Sequence, residues 1–221
     1  MTPVSPHLTP APRPLPPPTI HIVDDDDSFR RALSRLLQAA GFAVRGYASA
    51  GEFLLAHSGE KPGCVLLDVQ MPGLDGLDMH AALAKQEVPL PVVFVTGHGD
   101  IPMSVRAMKT GAVDFLTKPV KREVLLRAVE AALARDADQR VAREKSRHYR
   151  ECFESLTPRE REVFDQVTAG KLNKQIAAEL GTAERTVKAH RANIMEKMQV
   201  QSLAELVHIA ALLQSENRSA Q

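Results

Sequence analysis

Carboxylate, hydroxyl and ammonium side chains follow the ends of four predicted strands in the N-terminal part of the chain. They are Asp24, Asp25, Asp68, Thr96 and Lys118. Neighbouring carboxylates repel one another unless a cation lies among them, and their oxygens suit Mg²⁺, which often shares its coordination sphere with phosphate. An aspartate so placed can attack phosphorus to form an acyl phosphate. Lys118 and Mg²⁺ would offset charge on the transferred group, and Thr96 would donate a hydrogen bond to it.

Alternating strand and helix patterns position these side chains. Strand patterns occur at residues 19–24, 42–47, 64–67, 91–95 and 113–116. Helical patterns occur at residues 28–40, 50–57, 77–85, 101–109 and from about 121 onwards. This alternation predicts a parallel sheet covered by helices on both faces, whose ligands bind outside the carboxyl ends of the strands. One acid at a strand end is usually a solvated loop residue, but five suitable side chains at four strand ends favour a site.

Four short segments carry a family resemblance. Residues 19–134 resemble a receiver domain of bacterial two-component systems through Ile22–Asp25, Leu66–Gly73, Val95–Gly97 and Phe115–Pro119. The resemblance implies an α/β receiver domain with a doubly wound, five-stranded parallel sheet in the order 2-1-3-4-5. It also implies a cis bond before Pro119, a type of bond found mainly at proline.

The resemblance also implies a role for each matching residue. Asp68 would be the phospho-acceptor, Asp24 and Asp25 would bind Mg²⁺ together with Asp68, and Lys118 would contact the phosphoryl group. The backbone carbonyl of Gln70 would be a further Mg²⁺ ligand. Because four aspartates stand in a row, Asp26 is the alternative metal ligand.

Thr96 and Phe115 would form the conformational switch. Thr96 would move towards the phosphoryl group, and Phe115 would turn into the space that it leaves. Many relatives have tyrosine at this position, so a hydrogen bond specific to tyrosine cannot form here. The surface of residues 102–134 would then change shape and pair two copies. Its apolar candidates, half of which must belong to the core, are Met103, Val105, Ala107 and Met108.

The C-terminal region has the pattern of a helix-turn-helix domain. Thr157, Pro158 and Glu160 predict the start of a helix with a capping box. A short helix between Lys171 and Gly181 is followed by a longer one that Thr182 is expected to cap. Two helices joined by a tight turn that contains glycine are typical of a helix-turn-helix.

The second of these helices, from Glu184 to Met198, is predicted to read DNA. Val187, Ile194 and Met198 fall on its inward face. Its outward face combines small and cationic side chains that suit the major groove: Arg185, Lys188, Ala189 and Ala192. The residues placed to meet phosphates or to brace the helix are Lys171, Lys174, Gln175, Thr186, His190, Arg191, Asn193 and Lys197. His190 suits packing against the preceding helix as well as it suits a phosphate contact.

This region also resembles a known family. Residues 154–213 resemble the LuxR/NarL-type output domain through Leu156–Glu160, Asn173–Ala177 and Thr186–His190. A receiver joined to it resembles the NarL/FixJ group, and Thr96–Asp100 and Ala107–Phe115 indicate the FixJ-like branch. The predicted organisation is a disordered proline-rich tail (1–18), a receiver (19–134), a linker helix with a possible break near Arg135 (135–153), a DNA-binding domain (154–214) and a disordered tail (215–221).

Composition limits the other possibilities. The net charge of the whole chain is only +1, but residues 171–197 have a local excess of positive charge, with six Lys or Arg against three Glu. No apolar run is long enough to span a membrane, and the proline-rich start lacks the apolar core of a signal peptide. Cys64 and Cys152 form no metal motif, so we expect a reduced, cytoplasmic protein. A redox switch at Cys152 on an exposed linker is an alternative.

The residues and the resemblance predict a transcriptional response regulator. Its expected partners are a sensor histidine kinase, double-stranded DNA, a second copy after phosphorylation, and RNA polymerase, and activation of transcription is the expected outcome. Masking of the DNA-binding domain and simple monomerisation both fit the unphosphorylated state. The only expected catalysis is Mg²⁺-dependent self-phosphorylation and slow dephosphorylation of Asp68. A haloacid-type phosphatase is disfavoured, because it would need a second carboxylate near Asp68, which Val69 and Gln70 do not supply. A module that binds only protein is also disfavoured, because it would lack the cationic helix face.

Overall fold

The computed structural model describes residues 16–57, 61–86, 88–97 and 101–219. Most of the predicted proline-rich tail therefore lies outside the described residues, and residues 16–18 have no regular secondary structure. The chain divides into two compact units, with the division after Gln139. Among the described residues, no helix combines the length and the apolar character needed to cross a membrane.

The first unit is built on a five-stranded parallel sheet. Its strands are β1 (Thr19–Val23), β2 (Ala43–Tyr47), β3 (Gly63–Leu67), β4 (Val92–Thr96) and β5 (Asp114–Thr117). Its helices are α1 (Asp27–Ala39), α2 (Ala50–Ala56), α3 (Gly76–Leu83), α4 (Ile101–Lys109) and the first part of α5 (Arg122–Glu154). The strand order is β2-β1-β3-β4-β5, which confirms the predicted topology.

Apolar side chains alternate between the two faces of the sheet. In β3, Val65 and Leu67 join a core with residues of α2, α3 and α4, whereas Cys64 and Leu66 join a core with α1 and α5. Strands that are buried on both faces need continuous apolar runs, which is why β3 and β4 contain almost no polar residue. The polar side chains of the predicted site occur instead at the positions where the strands end.

The first half of α5 is anchored to the amino end of β3. The carboxylate of Asp136 is buried and accepts a hydrogen bond from the backbone N–H of Gly63 at 3.0 Å. A Cβ atom at Gly63 would lie 2.0 Å from the carbonyl oxygen of Thr19, so only glycine fits there. Packing of α5 against the sheet thus continues beyond Ala134. The helix has no break near Arg135, because residues 122–154 contain neither glycine nor proline.

The second unit is helical. It contains the end of α5, α6 (Pro158–Thr168), α7 (Asn173–Glu179), α8 (Glu184–Lys197) and α9 (Leu203–Ser219). The capping box of Thr157 and Glu160 is present, as predicted. The predicted cap by Thr182 is wrong: α8 starts after Ala183, whose side chain cannot accept a hydrogen bond, and the backbone N–H of Thr182 donates to Ala177 instead.

Two further predictions need correction in this unit. Residues 215–219, which were expected in a disordered tail, continue α9, because no glycine or proline interrupts the helix before Ser219. Cys152 is not exposed on a linker: it packs in the core of the helical unit with Leu156 and Phe164. Burial raises the pKa of the Cys152 thiol, which disfavours the reactive thiolate.

Candidate functional site

The carboxyl edge of the sheet brings together the polar residues that were predicted from the sequence. Val23 of β1 pairs in register with Leu67 of β3, so the residues that follow them, Asp24 and Asp68, lie side by side. Thr96 is the last residue of β4, and its carbonyl oxygen accepts a hydrogen bond from the backbone N–H of Lys118 at 2.7 Å. The peptide bond from Lys118 to Pro119 is cis, as predicted.

Lys118 joins the two buried carboxylates of this edge. Its Nζ atom lies 2.6 Å from Oδ2 of Asp24 and 2.8 Å from Oδ2 of Asp68. Burial raises the pKa of the Asp24 carboxyl, although the hydrogen bond from Lys118 acts in the opposite direction. Burial also opposes protonation of Lys118, but its bonds to Asp24 and Asp68 outweigh this effect and raise its pKa. The pocket therefore keeps Lys118 charged.

The four consecutive aspartates have different roles. Asp26 caps α1, since one of its carboxylate oxygens accepts hydrogen bonds from the backbone N–H groups of Ser28 and Phe29 at 2.9 and 3.1 Å. Asp27 forms ion pairs with Arg30 and Arg31 on the outside of the same helix. Only Asp24 and Asp25 remain for the pocket, so the structure gives no support to Asp26 as the alternative metal ligand.

The pocket has a donor set that fits a divalent cation. Asp24, Asp25 and Asp68 each offer one carboxylate oxygen, and these atoms lie within 4.8 Å of one another. Among the described residues of this edge, the three carboxylates outnumber the ammonium of Lys118, and hard oxygen donors suit Mg²⁺. Gln70 lies close by, because its backbone N–H donates to Oδ1 of Asp68 at 3.3 Å.

A glycine fixes the loop that follows Asp68. A Cβ atom on Gly76 would lie 2.1 Å from the carbonyl oxygen of Asp68, and the N–H of Gly76 donates to Val69 at 2.9 Å. The first turn of α3 can therefore approach the backbone of Asp68 only because residue 76 has no side chain. The sequence patterns did not identify this glycine as a residue that positions the site.

Thr96 and Phe115, the predicted switch pair, lie on neighbouring strands. Thr96 is fully buried, whereas Phe115 is partly buried and packs against the core, with its ring centroid 6.0 Å from that of Phe94. The four apolar candidates on α4 divide in half, as expected. Ala107 and Met103 belong to the core, and Val105 and Met108 are exposed.

The helical unit presents a second candidate surface, on α8. Val187, Ile194 and the adjoining Met198 are buried, as predicted for the inward face. The four residues predicted to face the major groove are all exposed: Arg185, Lys188, Ala189 and Ala192. Lys174, Gln175 and Asn193 are also exposed, whereas Thr186 and His190 are only partly exposed.

Several residues that were predicted to contact DNA already have intramolecular partners. The Lys197 ammonium lies 2.6 Å from Oε2 of Glu160, whose side chain is 4% exposed. Arg191 donates to Oδ1 of Asn173 at 2.8 Å and so joins α8 to α7. Three further contacts join residues closer in the chain. Lys171 pairs with Glu179, Lys188 pairs with Glu184 on the same helix, and the Gln175 side chain accepts a hydrogen bond from the N–H of Leu172.

One oxygen of the Glu160 carboxylate, Oε2, accepts several hydrogen bonds. Besides Lys197, it accepts hydrogen bonds from the backbone N–H of Thr157 at 2.8 Å and from the Thr157 hydroxyl at 3.0 Å. The bond from Lys197 and these bonds from Thr157 lower the pKa of the Glu160 carboxyl to about 2. This network ties the end of α8 to the start of α6. Lys197 therefore braces the helix, which was one of the two roles considered for it.

Comparisons with known proteins identify both domains. The model of the response regulator receiver domain matches residues 20–130, and the model of the bacterial regulatory proteins of the luxR family matches residues 154–210. The chain is 46% identical over 194 residues to nodulation protein W of Bradyrhizobium diazoefficiens, and the match covers 88% of this chain and 86% of that protein. It is 42% identical over 191 residues to the transcriptional regulatory protein FixJ of the same species, with coverage of 86% and 93%. The solved structure of the response regulator StyR is 47% identical, with a TM-score of 0.76 and coverage of 89% of this chain and 99% of that one.

Proposed function

Because this chain belongs to the response regulators of the NarL/FixJ type, with a receiver domain and a LuxR-type DNA-binding domain, we propose that phosphorylation of Asp68 controls its binding to DNA. The observation that carries this proposal is the cluster of Asp24, Asp25 and Asp68 at the edge of the sheet, two of whose carboxylates, those of Asp24 and Asp68, share the Lys118 ammonium. The proposed organisation keeps the predicted receiver at 19–134, the linker helix at 135–153 and the DNA-binding domain at 154–214. We place the activity in the cytoplasm, where a sensor histidine kinase would supply the phosphoryl group.

The proposed transfer step needs little chemistry from the protein. A carboxylate oxygen of Asp68 attacks phosphorus, the bond from phosphorus to the kinase's histidine nitrogen breaks, and that nitrogen keeps the electron pair and takes up a proton. Asp24, Asp25, Asp68 and the carbonyl of Gln70 would hold Mg²⁺. When bound, the metal would offset the charge on the phosphoryl oxygens. Gln70 carries an amide in place of a general acid, so we expect only slow hydrolysis of the acyl phosphate.

The residues around Asp68 would stabilise the transferred group. Lys118 starts 2.8 Å from Asp68 and needs only to exchange a carboxylate oxygen for a phosphoryl oxygen. The Thr96 hydroxyl would donate to another phosphoryl oxygen, and Phe115 would turn towards the space that Thr96 leaves. This movement would change the surface that includes the exposed side chains of Val105 and Met108 on α4.

Two paired receivers would deliver two α8 helices to a DNA site with two half-sites. Arg185, Lys188, Ala189 and Ala192 would contact base edges. Lys174, Asn193, Thr186 and His190 would meet the phosphates and the groove walls. We propose that the bound dimer activates transcription through a contact with RNA polymerase.

One experiment tests the central step. The full-length protein is incubated with Mg²⁺ and acetyl phosphate, and its mass and size are followed by mass spectrometry and light scattering. We expect wild type to gain one acid-stable, base-labile phosphoryl group and to dimerise. Asp68→Asn should do neither, while Asp78→Asn, an exposed aspartate of α3, should behave like wild type. Absence of phosphate on the wild-type protein, with a histidine kinase as well, would refute the proposal.

A further inference from the structure

The Lys118 ammonium has a third neighbour that carries no charge. Its Nζ atom lies 4.1 Å from the centroid of the Phe29 ring, on the ring face. A cation over an aromatic face is attracted by the ring's quadrupole, and the attraction grows where water is excluded. The Lys118 side chain is only 18% exposed, so this contact lies in such an environment.

The backbone around the pocket holds the Phe29 ring in place. Phe29 lies in the first turn of α1, and its N–H donates to Oδ1 of Asp26 at 3.1 Å. The N–H of Asp26 in turn donates to Oδ1 of Asp24 at 2.9 Å. The ring packs against the core between the sheet and α1. The same aspartate that binds Lys118 thus orients, through the cap of α1, the aromatic ring that lies against it.

An aromatic partner differs from a carboxylate in one respect that matters for phosphoryl transfer. When Asp68 becomes an acyl phosphate, its carboxylate loses its negative charge, and any cation in the pocket competes for Asp24. The attraction of the ring does not change in either case, because Phe29 is neither a ligand nor a reactant. The ring therefore adds a constraint on the flexible four-carbon stem of Lys118 that does not depend on the charge of either aspartate.

We infer that Phe29 is a positioning residue for phosphoryl transfer, which holds the Lys118 ammonium beside Asp68 by a cation–π contact. The inference rests on the proposed function of Asp68. It concerns only the placement of Lys118, and Phe29 itself touches neither the donor nor the metal. Its ring, and not merely its volume, should therefore matter.

Kinetics with acetyl phosphate test this role in the full-length protein. At saturating donor and Mg²⁺, we expect Phe29→Leu and Phe29→Met to accept phosphate roughly threefold to tenfold more slowly than wild type. Phe29→Tyr, which keeps the ring, should restore the rate to within about twofold of wild type. Phe42→Leu is the matched control, since Phe42 is another partly buried phenylalanine of the same core, and it should leave the rate unchanged.

A spectroscopic measurement without metal or donor tests the contact itself. Protons above an aromatic face resonate upfield, so the ε-methylene protons of Lys118 should be shifted upfield in wild type and in Phe29→Tyr. The shift should disappear in Phe29→Leu, while Phe42→Leu should keep it. Thermal unfolding of each variant shows whether it is folded at the temperature of the assay.

The outcomes separate the two hypotheses. If wild type takes up no phosphate, the proposed function of Asp68 fails, whatever the variants do. If wild type is phosphorylated and Phe29→Leu keeps its rate, or Phe29→Tyr is as slow as Phe29→Leu, the positioning role is wrong. Lack of an upfield shift in the wild-type protein overturns it as well, even if the leucine and methionine variants do not fold.

Discussion

Two ion pairs, one in each unit, have the same distance between nitrogen and oxygen but differ in the charged groups and hydrogen bonds around them. Lys118 lies 2.6 Å from Asp24, and Lys197 lies 2.6 Å from Glu160. Around Lys118 the carboxylates of Asp24 and Asp68 share one ammonium and Asp25 lies close to them, and burial raises the pKa of Asp24. Around Lys197 a single carboxylate receives several hydrogen bonds, and its pKa falls to about 2. Distance alone therefore does not identify a functional pair, whereas an excess of unsatisfied charge does.

This difference has a physical origin. A buried charge that is fully paired and hydrogen-bonded has little left to offer a ligand, and its removal mainly affects stability. A group of neighbouring like charges is costly until a ligand of opposite charge arrives, so such a group favours a binding site. The pocket of the first unit is of the second kind, and the Glu160 network is of the first kind.

Removal of the ammonium from the acidic pocket should have the largest effect. We expect Lys118→Met to slow phosphoryl uptake from acetyl phosphate by roughly 100-fold, because a buried cation that stabilises the transition state is lost. The rate is measured by mass spectrometry at saturating Mg²⁺. Lys121→Met, an exposed lysine just after it, should react like wild type. If Lys118→Met takes up phosphate at the wild-type rate, Lys118 contributes only to stability. The Lys118–Asp24 and Lys197–Glu160 pairs would then have the same role.

Removal of the ammonium from the helical unit should affect stability instead. We expect Lys197→Met to lower the free energy of unfolding by about 1–3 kcal/mol, because it leaves the buried carboxylate of Glu160 without its cation. Urea unfolding followed by circular dichroism measures this change. Lys188→Met, on the exposed face of the same helix, is the control and should change stability by less than about 0.5 kcal/mol.

The pH dependence of unfolding sharpens this prediction. The pKa of Glu160 is lowered from its usual 4.5 to about 2 in the folded protein, so its contribution to stability is complete above about 4.5. That contribution is lost as the pH falls from about 4.5 through 2. Lys197→Met should lose less stability than wild type across this window. Equal losses in the two proteins would show that Glu160 and Lys197 are not coupled.

DNA binding should depend on Lys188 and not on Lys197, which is the reverse of the stability result. This is the smallest expected change. Lys188→Met should weaken binding by about fivefold and reduce the slope of log affinity against log salt by about 1, as for the loss of one cationic contact. Lys197→Met, measured below its unfolding transition, should keep the wild-type slope. Fluorescence anisotropy at several salt concentrations gives both slopes. A reduced slope for Lys197→Met would show that Lys197 also meets a phosphate.

The sequence by itself determined most of the fold and the acidic pocket. Strand and helix periodicity, the capping box at Thr157 and the positions of Asp24, Asp68 and Lys118 were all readable, because each depends on residues near one another in the chain. The parallel sheet then brings these residues together in one pocket, because the carboxyl ends of neighbouring parallel strands lie at one edge.

The tertiary structure alone decided which partner each exposed or half-buried side chain takes. Lys197 meets Glu160 across 37 residues, Lys118 meets the Phe29 ring, and Cys152 enters a core. Where α1 begins likewise decides which of the four consecutive aspartates lie in the pocket and which cap the helix or form ion pairs on it. Long side chains reach several neighbours with similar energy, and only the packed fold selects one of them. Of the lysines predicted to contact DNA, Lys197 therefore joins α8 to α6, whereas Lys174 stays exposed.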